Sequence, residues 1–154
     1  MDVYFVAKFL HILGAGILFG TGVGIAFFMA MAVRTKDAAF ISRTAALVIT
    51  ADFVFTLSAI TLQPITGIWL AVEQNMPVLQ GWIVKSMGLY VLAGLFWIPM
   101  IFVQKKLHDM AVESAGSGAA LPARFGRLYA VWLSLGGAVL TVLLGIFWLM
   151  ITKP

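Results

Sequence analysis

Long runs of apolar residues separated by short polar stretches dominate the chain. They cover residues 3–33, 44–72, 81–103 and 125–151. Each run exceeds the ~20 residues that an α-helix needs to cross a bilayer, and none alternates with the two-residue period of a half-buried strand. The pattern therefore predicts an all-α integral membrane protein, a four-helix bundle that forms a single domain over residues 1–154.

Composition supports this class and excludes others. Hydrophobic residues make up 62% of the 154 positions and charged residues only 10%, against roughly 25% charged in a soluble domain. The chain has no cysteine, which excludes disulfides, thiolate metal sites and iron–sulfur clusters. The net charge of +4 is spread over the ends of the runs, so we expect the lipid bilayer as a partner and no nucleic acid.

Basic residues are concentrated in two of the three connections. They are Arg34, Lys36 and Arg43 after the first run and Lys105, Lys106, Arg124 and Arg127 after the third. Because cytoplasmic loops carry an excess of Lys and Arg, these two connections are predicted to face the cytoplasm and both termini to lie outside. The connection over residues 104–124 contains the sequence SAGSG, and this composition predicts a mobile loop.

Ionisable residues inside the runs are candidates for function, because burying them in hydrocarbon is costly. They are Lys8, His11, Asp52 and Lys85. At ~1.5 Å per residue, His11 lies roughly 12 Å and Lys85 roughly 6 Å from the outer ends of their helices, at a level similar to Gln63 and Thr66. These four residues could meet, whereas Asp52 is ~24 Å from the level of Lys85.

Each of these side chains also has a structural explanation. Lys8 shares a helix face with His11, and both Lys8 and Lys85 could extend their ammonium groups to the lipid head groups. His11 could simply bond to a neighbouring helix, but imidazole is also the commonest metal ligand. We therefore expect His11 to ligate a metal.

Small residues recur every fourth position on two runs. They are Gly16, Gly20 and Gly24 on the first run and Gly137, Thr141 and Gly145 on the fourth. This spacing permits close approach of another helix, from the same chain or from a second copy in a homo-oligomer. It equally permits approach of the flat face of a macrocycle, since Gly145 lies near the depth of His11.

Several short segments resemble the HemJ family, four-helix bacterial membrane proteins that carry b-type haem and are associated with protoporphyrinogen IX oxidation. They are KFLH at residues 8–11, GIWLA at 67–71, Trp82 followed by Lys85, RFGR at 124–127 and Lys153 with Pro154. The resemblance implies a bacterial inner membrane location, His11 as the axial ligand of haem b and Lys85 as the functional lysine. Lys8, Trp82 and Gly145 are further candidates for contact with the cofactor.

The resemblance implies a haem-binding redox protein, an oxidoreductase if it is an enzyme, that passes electrons from a tetrapyrrole or quinol to a membrane acceptor. In this hypothesis Lys85 positions a haem propionate or a substrate carboxylate. The other histidine, His108, lies in the connection after the third run, too far away to ligate the same haem. The second axial ligand would therefore be a Met or a Lys, or would come from another chain, or the iron would have no second axial ligand.

A second hypothesis needs no cofactor. Asp52, Thr56 and Gln63 form a polar stripe on the second run, which could bond helices together or line a proton path. The chain would then be an oligomeric interaction or transport subunit joined through its glycine faces. The chain is also similar to an uncharacterised group of predicted bacterial integral membrane proteins, which implies no activity.

Overall fold

The computed structural model describes residues 2–154, which form α-helices and one π-helical turn. The elements are α1 (Val3–Thr35), α2 (Ala38–Ala51), the π-helical turn (Asp52–Thr56), α3 (Leu57–Glu73), α4 (Gly81–Ser117) and α5 (Ala123–Thr152). Since α2, the π-helical turn and α3 are continuous, the described residues form four long helices, each apolar enough to cross a membrane. The predicted all-α, four-helix membrane architecture is confirmed.

Aspartate side chains cap the N-termini of α1 and α2. Asp2 accepts a hydrogen bond from the Tyr4 backbone N–H at 3.1 Å, and Asp37 accepts one from the Ala39 N–H at 2.9 Å. These caps satisfy amides that have no partner within the helix. Lys36, between α1 and α2, has a φ of 58°, the left-handed conformation that commonly ends a helix. α2 begins at Ala38, before the apolar run that the sequence predicts from residue 44.

The prediction of a mobile loop over residues 104–124 was wrong. α4 continues through this segment to Ser117, and the chain reverses over only residues 118–122. Leu107, Met110 and Ala111 form a buried stripe in the hydrophobic core, with the spacing of one helix face. Gly118 has a φ of 67°, which ends the helix in the left-handed conformation that glycine adopts without steric cost.

The two ends of the bundle are packed differently. At the basic end, where the α1–α2 and α4–α5 connections lie, one core cluster joins side chains from all four long helices, among them Met29, Ile41 and Leu107. Towards the other end, here called the terminal end, α1 packs on α3 and α4 packs on α5. The two pairs meet where α1 contacts α5 and where Leu18, Ala59 and Leu143 belong to a second core cluster, but within residues 2–154 the backbones of α1 and α3 do not come close to α4. A cleft lies between the two pairs at the terminal end.

The outer surface of the bundle is apolar. Phe28, Leu95 and Trp148 are each more than 60% exposed, as are many other large apolar side chains. A soluble monomer rarely exposes apolar patches of this extent. In a bilayer these side chains face lipid.

Candidate functional site

The histidine of α1 is held by two polar residues of α3. His11 Nδ1 lies 2.8 Å from Thr66 Oγ1, and Gln63 Nε2 donates to the backbone carbonyl of His11 at 2.8 Å. Gln63 and Thr66 are both buried and lie three residues apart, on one face of α3. The predicted meeting of His11, Gln63 and Thr66 is thus found.

The Thr66 hydroxyl decides which nitrogen of His11 carries the proton. Its own proton is directed to the Leu62 carbonyl, 2.8 Å away, so Oγ1 accepts from His11. We therefore assign the proton of the neutral ring to Nδ1, since a neutral imidazole has one donor and one acceptor nitrogen. Nε2 keeps its lone pair and has no hydrogen-bond partner among residues 2–154.

Two glycines allow this close packing of α1 on α3. A Cβ on Gly67 would lie 3.0 Å from His11 Cε1, and a Cβ on Gly14 would lie 2.6 Å from Gln63 Nε2. The imidazole therefore packs directly against the backbone of α3 at Gly67, where there is no side chain. A side chain at either position would displace its polar neighbour.

His11 lines the cleft between the two helix pairs. The cleft has a volume of about 310 Å³ and is lined by side chains from α1, α3, α4 and α5. Lys8 on α1 and Lys153 at the end of α5 contribute two ammonium groups, and no acidic residue is among the lining residues. The cleft therefore has the charge to receive an anion.

Trp82 adds a hydrogen-bond donor to this cleft. Its indole Nε1 is buried and has no hydrogen-bond partner in the part of the chain that the structure describes, and the Lys153 ammonium lies 5.5 Å from the centroid of its ring. A buried donor without a partner is costly. The indole N–H is thus available to a ligand that brings an acceptor.

The candidate residues from the sequence separate into two groups. Lys8, His11 and Trp82 all line the cleft. Lys85 is exposed on α4 and does not line it, contrary to the expected meeting with His11. Gly145 is also outside: a Cβ there would lie 3.3 Å from Leu89 Cδ1, so this glycine faces a side chain of α4.

The sequence did not mark Lys153 as a site residue. Its only signal was its place in the Lys153-Pro154 segment of the resemblance, because an isolated lysine after the last apolar run is usually a flanking charge. In the structure the end of α5 brings it above Trp82. Met76, Met87 and Met150 also line the cleft and supply thioether sulfur.

The glycine face predicted on α1 has no partner among residues 2–154. A Cβ at Gly16, Gly20 or Gly24 would meet nothing within 4 Å. The close contact between α1 and α5 occurs instead at Gly22, where a Cβ would lie 3.1 Å from Leu140 Cδ2.

A second polar cluster lies towards the basic end. Gln104 Nε2 donates to Asp52 Oδ2 at 2.9 Å, and Trp132 Nε1 donates to Gln104 Oε1 at 2.8 Å. All three side chains are at most 3% exposed. Asp52 thus joins the second long helix to α4 and α5 through Gln104, as expected for polar bonds between membrane helices. Gln104 was missed because it was placed in the predicted loop.

Comparison with known proteins gives a family and no function. No curated protein and no solved structure matches the chain. A family model described as a predicted integral membrane protein (DUF2269) matches residues 5–154. This supports the similarity to an uncharacterised membrane family, whereas the HemJ resemblance rests on the short segments alone. The chain belongs to the DUF2269 family of predicted integral membrane proteins.

Proposed function

We propose that this protein binds haem b in the cleft at the terminal end and acts as a membrane redox protein. The observation that carries the proposal is a histidine whose Nε2 has no hydrogen-bond partner among residues 2–154, in an apolar cleft that two lysines and no acidic residue also line. A lone metal ion would need several protein ligands, and residues 2–154 contain no group of three His, Cys, Asp or Glu residues that could hold one. A porphyrin brings four equatorial nitrogens, so one axial histidine is sufficient.

The residues of the cleft fit the groups that a haem presents. His11 Nε2 is oriented for metal ligation by the Nδ1–H bond to Thr66, an outer-shell contact of the kind that fixes ligating histidines. Lys8 and Lys153 would pair with the two propionates, and the Trp82 N–H would donate to one of them. Met76, Met87 and Met150 also line the cleft, and a thioether of one of them would be a further contact for the haem.

This assignment moves the propionate role from Lys85 to the two lysines that line the cleft. The chain would hold the cofactor between two helix pairs, exclude water from it and set its potential through the axial ligand and burial. Bound haem would supply one-electron transfer. The electron donor in this proposal is a tetrapyrrole or quinol, and the acceptor another membrane component.

The test is an absorption spectrum of protein purified in detergent from cells supplied with haem, both oxidised and reduced with dithionite. We expect a Soret band and a sharpened α band in the wild type, both lost in His11→Ala. His108→Ala is the matched control, because His108 is the other histidine of the chain and lies near the basic end. Its spectrum should be that of the wild type.

Two results would contradict the proposal. One is a wild-type protein without a Soret band despite ample haem. The other is a His11→Ala protein that keeps the full band. Either would leave the cofactor-free interaction or transport subunit as the better explanation of the bundle.

A further inference from the structure

A second cavity lies deeper in the bundle, next to Asp52. Its volume is about 370 Å³. Tyr90 lines both this cavity and the cleft, and its hydroxyl donates to the Ile60 carbonyl, which joins α4 to α3. Most of the lining is aliphatic, aromatic or glycine, so the cavity suits a largely apolar occupant.

Three polar atoms in the wall of this cavity make no hydrogen bond of normal length within residues 2–154. They are Asp52 Oδ1, Thr56 Oγ1 and Trp97 Nε1, all buried, and the Thr56 and Trp97 donors lie near the Asp52 carboxyl. Asp52 is 2% exposed and Thr56 is 6% exposed. The other polar side chains of the wall are occupied: Tyr90 donates to Ile60 and Trp132 donates to Gln104.

Thr56 differs from the other hydroxyl residues of its long helix. Thr50, Ser58 and Thr61 each donate to the carbonyl four residues earlier. Thr56 makes no such bond; it lies in the π-helical turn, where the Asp52 carbonyl receives the backbone N–H of Leu57. π-Helical turns of this kind are frequent at functional sites.

A ligand with both a donor and an acceptor would complete the hydrogen bonding of these three atoms. Asp52 Oδ1 takes a donor, the Trp97 N–H needs an acceptor, and the Thr56 hydroxyl can serve either way. A cation would pair with Asp52 but would bring no acceptor for the Trp97 N–H. Water could fill the polar corner, where one molecule occupies about 30 Å³, but not the apolar remainder.

From these contacts we infer that the second cavity binds a neutral, lipid-soluble aromatic ring with hydroxyl and carbonyl-type oxygens, that is, a compound of the quinol class. One oxygen donates to Asp52 and accepts from the Trp97 N–H or the Thr56 hydroxyl. The ring occupies the space beside Gly94 and Gly137, where a Cβ would meet nothing within 4 Å. An apolar tail would continue between the helices towards the lipid.

The test is a titration with 2-heptyl-4-hydroxyquinoline N-oxide, a fluorescent quinol analogue whose emission is quenched on binding. We expect saturable quenching by the detergent-solubilised wild-type protein. Thr56→Val and Trp97→Phe each remove one polar group at nearly constant shape. Each should weaken binding about tenfold, the size expected for one buried hydrogen bond.

A steric pair of variants checks the location. Gly94→Leu should fill the cavity and abolish saturable quenching. Gly16→Leu is its control, because a Cβ on Gly16 also meets nothing within 4 Å and Gly16 does not line the cavity. Binding by the Gly16→Leu protein should equal that of the wild type.

The inference does not depend on haem. The titration is repeated with His11→Ala protein, in which the probe should still bind, so the two proposals can fail separately. Absence of saturable quenching by the wild type, or unchanged binding by Gly94→Leu, would overturn the inference. Equal competition by tetraphenylphosphonium, a lipophilic cation without hydroxyl or carbonyl groups, would indicate a cation pocket and also overturn it.

Discussion

His11 Nδ1 on α1 lies 2.8 Å from Thr66 Oγ1 on α3 and forms a hydrogen bond with it, although the two residues are 55 positions apart in the sequence. His11 also lines the cleft, and its other ring nitrogen, Nε2, has no hydrogen-bond partner among residues 2–154. The bond to Thr66 joins the two helices of one pair and, in the proposed function, orients the axial ligand. Changes at Thr66 should therefore affect both the stability of the bundle and the binding of haem.

We expect Thr66→Val to lower the free energy of unfolding by about 1 kcal/mol, because one buried hydrogen bond is lost. The variant should also bind haem more weakly, since the ring is no longer held in one tautomer. Haem titration followed at the Soret band, together with thermal unfolding in detergent, checks both effects. Thr66→Ser keeps the hydroxyl and should resemble the wild type. A Thr66→Val protein with normal haem affinity would show that the bond serves stability only.

Gly67→Ala should disturb His11 directly. The added Cβ would lie 3.0 Å from His11 Cε1, so the ring must move away from α3 and its bond to Thr66 lengthens. We expect a broadened or shifted Soret band. Gly88→Ala is the control, because a Cβ there meets nothing within 4 Å. Identical spectra for the two variants would argue against a ligand at His11.

Two lysines should control the affinity for an anionic ligand. Lys8→Ala and Lys153→Ala each remove one of the two cations that line the cleft. We expect each to weaken haem binding several-fold, and the effect to shrink as salt screens the charges. Titration with haem at low and high ionic strength measures both. Lys85→Ala should have no effect on affinity, whereas the HemJ resemblance implies that Lys85 matters. A loss confined to Lys85→Ala would favour the resemblance over the geometry.

Gln104→Leu should destabilise the bundle strongly. It leaves Asp52 Oδ2 and Trp132 Nε1 buried without their partner, and each such group costs about 1–3 kcal/mol. Unfolding by sodium dodecyl sulfate, followed by circular dichroism, provides the comparison. Lys106→Ala changes an exposed residue and should stay within about 0.5 kcal/mol of the wild type. Equal stability of the two variants would mean that the cluster contributes nothing.

The orientation in the membrane is open to labelling, because the chain has no cysteine of its own. The positive-inside rule predicts that the basic end faces the cytoplasm. Lys36→Cys, between α1 and α2, should then react with a membrane-impermeant maleimide only after the membrane is disrupted. Asn75→Cys, between α3 and α4, should react from the outer side with that membrane intact. The reverse pattern would invert the topology.

Local properties of the chain were sufficient to predict the class of fold. Run length and hydropathy depend only on neighbouring residues, so four membrane-spanning helices could be read directly from the apolar runs. The cost of polar groups in hydrocarbon likewise identified His11, Asp52 and Gln63 as residues that need partners. The wrong prediction of a loop over residues 104–117 also came from local composition. The small and charged residues there are typical of a loop, and only the structure shows that Leu107 and Met110 are buried.

Partners could not be predicted, because they depend on how distant helices pack. His11 and Thr66 meet because Gly14 and Gly67 let α1 approach α3, whereas Lys85, at a similar depth, is on another face of α4. Nothing along the chain indicated that α3 and α4 would separate and leave a cleft for His11, Lys8 and Lys153. The depth of a residue along its helix follows from counting residues. Which neighbour its side chain meets depends on how the helices are packed around it, and the tertiary structure alone decides that.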